Sequence, residues 1–251
     1  MRVLSLLLTI GLLSGCGQSE SSDIASAQCT NLSQSAMIWV AGGDFILGEN
    51  PRYREEGPPE TVTVEGFWID SHEVTNAEFA AFVEATGYKT LAERQPPIIA
   101  GAPPEMQQPG SAVFNTPNID DRRWWRWEVG AQWRNPSGPE ESIAGKDQVP
   151  VVQVAYDDAL AYAEWAGKQL PSEEQWEYAA RGGQDILPEP VDAKGAPQAN
   201  YYQGAFPAKD LGKDGFETRA PVGCFQPDGY GLYDMLGNVW EWTPSSAGRA
   251  D

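Results

Sequence analysis

Two stretches of this chain are rich in hard oxygen donors. Asn200-Tyr201-Tyr202-Gln203-Gly204 and Lys213-Asp214-Gly215-Phe216 combine a carboxamide and a carboxylate with glycines that let neighbouring carbonyls turn inward. Ca²⁺ takes roughly six to eight such oxygens. The same residue types also fit plain turns closed by their own side chains, so spacing alone leaves both readings open. A third run, from Gly229 to Trp242, is dense in glycines, aromatics and acids, as the approach to a functional site would be.

Softer chemistry has less to draw on. The chain holds one histidine, His72, and three cysteines, Cys16, Cys29 and Cys224. A redox metal held by two or three histidines is therefore impossible within one protomer, and His72 is assigned no role. Cys29 and Cys224 could pair, but Cys29 falls in a stretch that reads as a loose tether, so pairing is not expected. The cluster Arg122-Arg123-Trp124-Trp125-Arg126-Trp127 has two readings. Its aromatic faces and guanidinium groups could line a groove for an extended peptide, or its tryptophans could pack a proline-rich loop onto the domain. Packing is favoured for Trp127 and Trp133, while Trp124 and Trp125 stay open as groove residues.

The elements that must position these groups follow a leader. Residues 1–15 have a basic start and an apolar run too short to span a membrane, ending in Leu13-Ser14-Gly15-Cys16, which resembles a bacterial lipobox. This predicts a signal peptide, a lipidated Cys16, a flexible tether over 16–35 and a place in the bacterial envelope, anchored to membrane by lipid and facing the periplasm or outer membrane. Losing Arg2 with the leader leaves 36 acidic residues against one fewer than the original 17 basic ones, or −20 with a blocked amino terminus. Such a charge repels phosphate backbones and excludes nucleic acid as a partner class.

Residues 37–40 and 45–47, separated by Ala41-Gly42-Gly43-Asp44, predict a β-hairpin. Strands follow over 61–64 and 67–69. Thr75 and Glu78 form a capping box for a helix that Gly87 ends. Residues 94–146 are proline-rich with little periodicity. A strand over 149–156 leads to a helix over 157–166, and a second box, Ser172 with Gln175, starts another helix. One mixed domain over 36–243 with an atypical tail over 244–251 is the simplest account.

The motifs Gly42-Gly43-Asp44-Phe45-Ile46-Leu47-Gly48, Glu73-Val74-Thr75-Asn76-Ala77-Glu78-Phe79, Leu170-Pro171-Ser172-Glu173-Glu174-Gln175-Trp176 and Gly237-Asn238-Val239-Trp240-Glu241-Trp242 occur in order. Together they resemble the formylglycine-generating enzyme family, also called sulfatase-modifying factors. The middle resembles its true oxidases, in Phe114-Asn115-Thr116-Pro117 and Gly130-Ala131-Gln132-Trp133-Arg134-Asn135-Pro136, although the usual His-Pro is Val149-Pro150 here. The resemblance implies a compact, loop-rich α+β domain related to C-type lectin folds. It implies two structural Ca²⁺ sites: one of Asn200, the Tyr201 carbonyl, Asp214 and the Phe216 carbonyl, the other of Asp234, the Gly237 and Val239 carbonyls and Glu241. It further implies conversion of a sulfatase cysteine to formylglycine with O₂ and a Cu(I) ion held by two cysteines beyond Trp242.

No such pair follows Trp242 in this sequence, and from Pro244 the residues depart from the family pattern. The C-terminal part is accordingly expected to be incomplete, the polypeptide inactive, and copper present only where those cysteines exist. Two alternatives are a non-catalytic, envelope-anchored binding or structural lipoprotein of the same fold, and another oxidase of the superfamily.

Overall fold

In the computed structural model, residues 29–30, 32, 36–49, 51, 58–114 and 124–244 are described. The leader, Cys16, Arg122, Arg123 and the tail after Pro244 lie outside them. Among the described residues no helix is long and apolar enough to cross a membrane.

Four short strands open the domain: β1 (Met37–Val40), β2 (Gly43–Leu47), β3 (Glu60–Val64) and β4 (Phe67–Asp70). The expected hairpin between the first two does not form. β1 pairs antiparallel with β4, with Trp39 opposite Trp68, and β2 pairs with β3, so one pair is nested inside the other. The glycines explain the difference. A Cβ on Gly42 would lie 2.2 Å from the Val64 carbonyl oxygen, so Gly42 serves a close backbone approach to the β3–β4 corner.

The helices follow their local signals. α1 (Asn76–Thr86) begins where the Glu78 N–H donates to Thr75 Oγ1 at 3.3 Å and the Thr75 N–H donates to Glu78 at 2.9 Å. It ends at Gly87 in the left-handed conformation, φ 67°. α3 (Glu173–Ala180) starts with the reciprocal Ser172 and Gln175 bonds.

Between them lies α2 (Tyr156–Trp165). Its start is held by Asp158, which is fully buried and accepts from the Ala155 and Leu91 N–H groups and the Tyr88 hydroxyl. The expected strand over 149–156 is irregular instead. Only the Thr75–Pro150 bridge resembles a ladder, and Gln153 takes φ 59°, which breaks extended pairing.

The proline-rich middle is more ordered than its sequence suggests. It contains an antiparallel pair, β5 (Gly110–Phe114) with β6 (Trp125–Val129), besides a short 3₁₀ turn at Pro104–Gln107. Farther on, β7 (Gly204–Ala205) and β8 (Lys209–Asp210) close a small loop.

Three apolar clusters support these elements. Phe79, Phe82, Val83 and Trp133 form one, with Trp133 1% exposed. Val40, Ala179, Ala180, Leu232 and Met235 form the second, and Phe45, Leu47 and Val64 the third. The packing expected of Trp133 is observed, and Trp127 is half-buried with its indole N–H on the Gln108 carbonyl.

The cysteine expectation is corrected. Cys29 and Cys224 form a disulfide across a separation of 195 residues. The Thr30 N–H also donates to the Gly223 carbonyl at 2.9 Å, which holds the end of the tether stretch against the domain. The tether's composition concealed this, because the partner is distant in sequence.

Candidate functional site: two linked oxygen-rich shells beside an aromatic surface

The first shell gathers around one carboxylate. Asp214 Oδ2 accepts from the Asn200 amide at 3.0 Å and the Tyr201 N–H at 3.2 Å, and Asp214 Oδ1 accepts from the Phe216 N–H at 3.0 Å. All four residues named for this shell thus meet. Asn200 also donates to the Thr218 carbonyl, and the Tyr201 carbonyl accepts from Gln203 at 2.6 Å. Gln203, buried and also accepting from the Asp214 N–H, was not legible as part of the site. In this state the shell is closed by its own hydrogen bonds. A cation would need the Asn200 amide to present its oxygen instead.

The second shell is built from strained backbone. Asp234, Gly237 and Asn238 all have positive φ, at 58°, 81° and 50°, a conformation that costs energy for residues other than glycine. Asp234 Oδ2 accepts from the Gly223 N–H at 2.8 Å. The two shells share a seam: Asn200 bridges Gly237, and the Asn200 carbonyl accepts from the Asn238 N–H at 2.8 Å.

Electrostatics single out a residue that the sequence reading missed. Glu73 is 6% exposed, and neither carboxylate oxygen has a hydrogen-bond partner. Burial, then the neighbouring Asp234 and Glu241, hold its carboxyl well above the usual range. Burial also pushes Asp234 up to about 6, although the Gly223 N–H and His72 oppose it. Glu241 is exposed as a residue, but burial of its carboxyl, with the nearby Asp234, raises it to about 7 against the opposing effect of the Trp176 indole. The His72 Nδ1–H donates to the Glu73 carbonyl at 2.8 Å, and its Nε2 is unpartnered.

Three acids that resist ionisation mark a place short of positive charge. A dication supplies that charge, so Asp234, Glu241 and the carbonyls of Gly237 and Val239 fit Ca²⁺, with Glu73 adding charge beside them. Among the described residues, no three His, Cys, Asp or Glu side chains close into a metal cage. Backbone carbonyls would have to complete the shell.

Among the described residues no cysteine pair is free to hold copper. Cys29 and Cys224 are bonded to each other, so neither offers a thiolate.

Beside the shells lies an exposed aromatic surface. Trp124 and Trp125 are 39% and 52% exposed. Trp124 meets Phe206 edge-on at 5.2 Å, and Phe114 contacts both Trp125 and Phe206. Trp240, 92% exposed, lies 6.5 Å from Trp125. Trp240 follows Val239, so the aromatic surface and the second shell share one loop.

The fold and this arrangement define a sulfatase-modifying factor domain. The family model described as "Sulfatase-modifying factor enzyme 1-like domain" matches residues 21–250, and the chain belongs to that family. It is 46% identical over 218 residues to the formylglycine-generating enzyme of Mycobacterium tuberculosis, covering 82% of this chain and 73% of that protein. It is 40% identical over 261 residues to the inactive C-alpha-formylglycine-generating enzyme 2 of Bos taurus, covering 98% of this chain and 79% of that protein. Among solved structures it resembles PvdO from Pseudomonas aeruginosa, with a TM-score of 0.54 and 27% identity over 82% of this chain and 69% of that one. The fold is thus of the formylglycine-generating type, with short helices, two-stranded sheets and long loops.

Proposed function

We propose that this chain is the cation-supported, substrate-binding body of a formylglycine-generating protein that acts on sulfatase-type polypeptides. The likeness to the mycobacterial enzyme is the observation that carries this reading. Two Ca²⁺ ions are structural here: they cross-link loops that have few backbone ladders of their own. Asn200, Asp214 and the Tyr201 and Phe216 carbonyls hold one, and Asp234, Glu241 and the Gly237 and Val239 carbonyls hold the other. Trp124 and Trp125, with Trp240 beside them, bind an extended peptide through ring faces.

Oxidation of the substrate cysteine to formylglycine uses O₂ and Cu(I) held by two thiolates. This sequence has no free pair for that ion, so the polypeptide binds substrate without turning it over. Lipidation at Cys16 would anchor it in the bacterial envelope. The Cys29–Cys224 disulfide supports an oxidising compartment of that kind.

A second reading, a non-catalytic binding lipoprotein, is favoured by two observations: the disulfide consumes both domain cysteines, and the bovine inactive relative matches nearly the whole chain.

The test is incubation with a Cys-x-Pro-x-Arg peptide, copper and O₂, with mass spectrometry for the aldehyde and tryptophan fluorescence for binding. Binding without aldehyde is expected. Aldehyde formation would overturn the inactive assignment, and absence of binding would overturn the peptide-binding surface.

A further inference from the structure

Gly223 occupies a junction that neither the cation shells nor the aromatic surface explains. Its N–H donates to Asp234 Oδ2 at 2.8 Å within the buried second shell. Its carbonyl accepts from the Thr30 N–H at 2.9 Å. A Cβ on Gly223 would lie 2.8 Å from the Leu32 side chain, so the N-terminal segment rests directly on this peptide. The next residue is Cys224, bonded to Cys29. Gly223 takes φ 75°, a conformation that its own chain does not enforce, since glycine visits many others freely.

We propose that the Cys29–Cys224 disulfide is a redox latch on the second cation shell. While it is closed, Cys29, Thr30 and Leu32 clamp the Gly223 peptide and the Gly223 N–H fixes the Asp234 carboxylate in its ligating orientation. A dithiol opens the latch by thiol–disulfide exchange. Its thiolate attacks one sulfur, a mixed disulfide forms, and the second thiol resolves it. Two electrons and two protons pass to Cys29 and Cys224, and the dithiol leaves as its cyclic disulfide. Cys29, with Thr30 and Leu32, then loses its covalent hold, Gly223 regains conformational freedom, and Asp234 is no longer pre-oriented. Cation affinity falls because the ion must now order the loop as it binds.

The latch rests on the calcium reading of Asp234 and Glu241, and calorimetric titration with Ca²⁺ separates the two. The full chain is titrated oxidised, reduced with excess dithiothreitol, and reoxidised. The oxidised chain is expected to show two binding events. Reduction should weaken by about fivefold or more the event that Asp234→Asn removes, and reoxidation should restore it. Thr30→Pro, which deletes the N–H on the Gly223 carbonyl and leaves the disulfide intact, should weaken the same event in part. Cys29→Ser with Cys224→Ser should reproduce the reduced state without reductant. Equal Ca²⁺ affinity in both redox states overturns the latch while the cation shells stand. Absence of Ca²⁺ binding in the oxidised chain overturns the cation reading and the latch with it.

Discussion

Gly237 lies against the backbone of Asn200 so closely that a Cβ at 237 would sit 2.1 Å from the Asn200 carbonyl oxygen. Each residue belongs to a different oxygen-rich shell, so this contact makes the two shells one structural unit. Gly237→Ala meets both the clash and a positive φ of 81°. It should destabilise the domain by more than about 2 kcal/mol and reduce the calcium response of both shells. Urea unfolding with and without Ca²⁺ checks this; an unchanged midpoint would show that the seam gives way easily.

Removing the cation should expose the strain among the buried acids. In excess chelator the melting temperature should drop, by roughly 2–4 °C for each kcal/mol of binding energy lost. The pH dependence then has a definite sign. Glu73, Asp234 and Glu241 have folded pKa values above their unfolded ones, so folding takes up protons. Without cation, stability should rise as pH falls through about 7 and then about 6, and level off below the unfolded carboxylate range. With saturating Ca²⁺ the slope should reverse, because protons then compete with the ion. Melting curves at several pH values, in chelator and in calcium, would reveal either pattern.

Glu73→Gln isolates the unpaired acid. Without calcium it should be at least as stable as the parent, because a buried carboxyl crowded by Asp234 and Glu241 is replaced by an amide that cannot ionise. With calcium it should gain less. A loss of equal size under both conditions would make Glu73 an ordinary packing residue, and paired thermal melts distinguish the cases.

Trp124→Ala with Trp125→Ala should leave the melting temperature nearly unchanged, since both rings are exposed. Peptide affinity should fall about tenfold or more, as removal of aromatic anchors usually does. Fluorescence titration with a sulfatase-derived peptide would show whether affinity and stability separate in this way.

Asp158→Ala should be the most damaging single change away from the shells. It strands the Tyr88 hydroxyl and the Ala155 and Leu91 N–H groups in the interior. A cost of about 3 kcal/mol or more is expected from denaturant unfolding.

What the sequence made legible was local. Thr75 with Glu78 and Ser172 with Gln175 sit three residues apart, and each box closes within one turn, so no distant partner is needed to recognise it. Asn200, Tyr201, Asp214 and Phe216, which stand in two nearby stretches of sequence, are joined by hydrogen bonds to the Asp214 carboxylate. Pairings that depend on distant chain were hidden. Gly42 and Gly43 looked like a turn, and only the approach of Val64 shows why Gly42 must be glycine. Gly110–Phe114 has no alternation to mark it, and its partner Trp125–Val129 supplies the missing context. In sequence, Glu73 is only part of a family motif, with no role of its own. The acids that crowd it, Asp234 and Glu241, lie far along the chain, where no local window reaches.

The nested strand pairs carry a consequence for the order of assembly. Every strand-pairing partner of β1 through β4 lies between Met37 and Asp70, so these ladders have low contact order, while the core beneath them waits for residues 168–235. The second shell needs residues 234–241, and the disulfide must wait for Cys224. Disulfide formation, and cation capture on the proposed reading, therefore come last, together with the closing of the core around Val40, Leu232 and Met235.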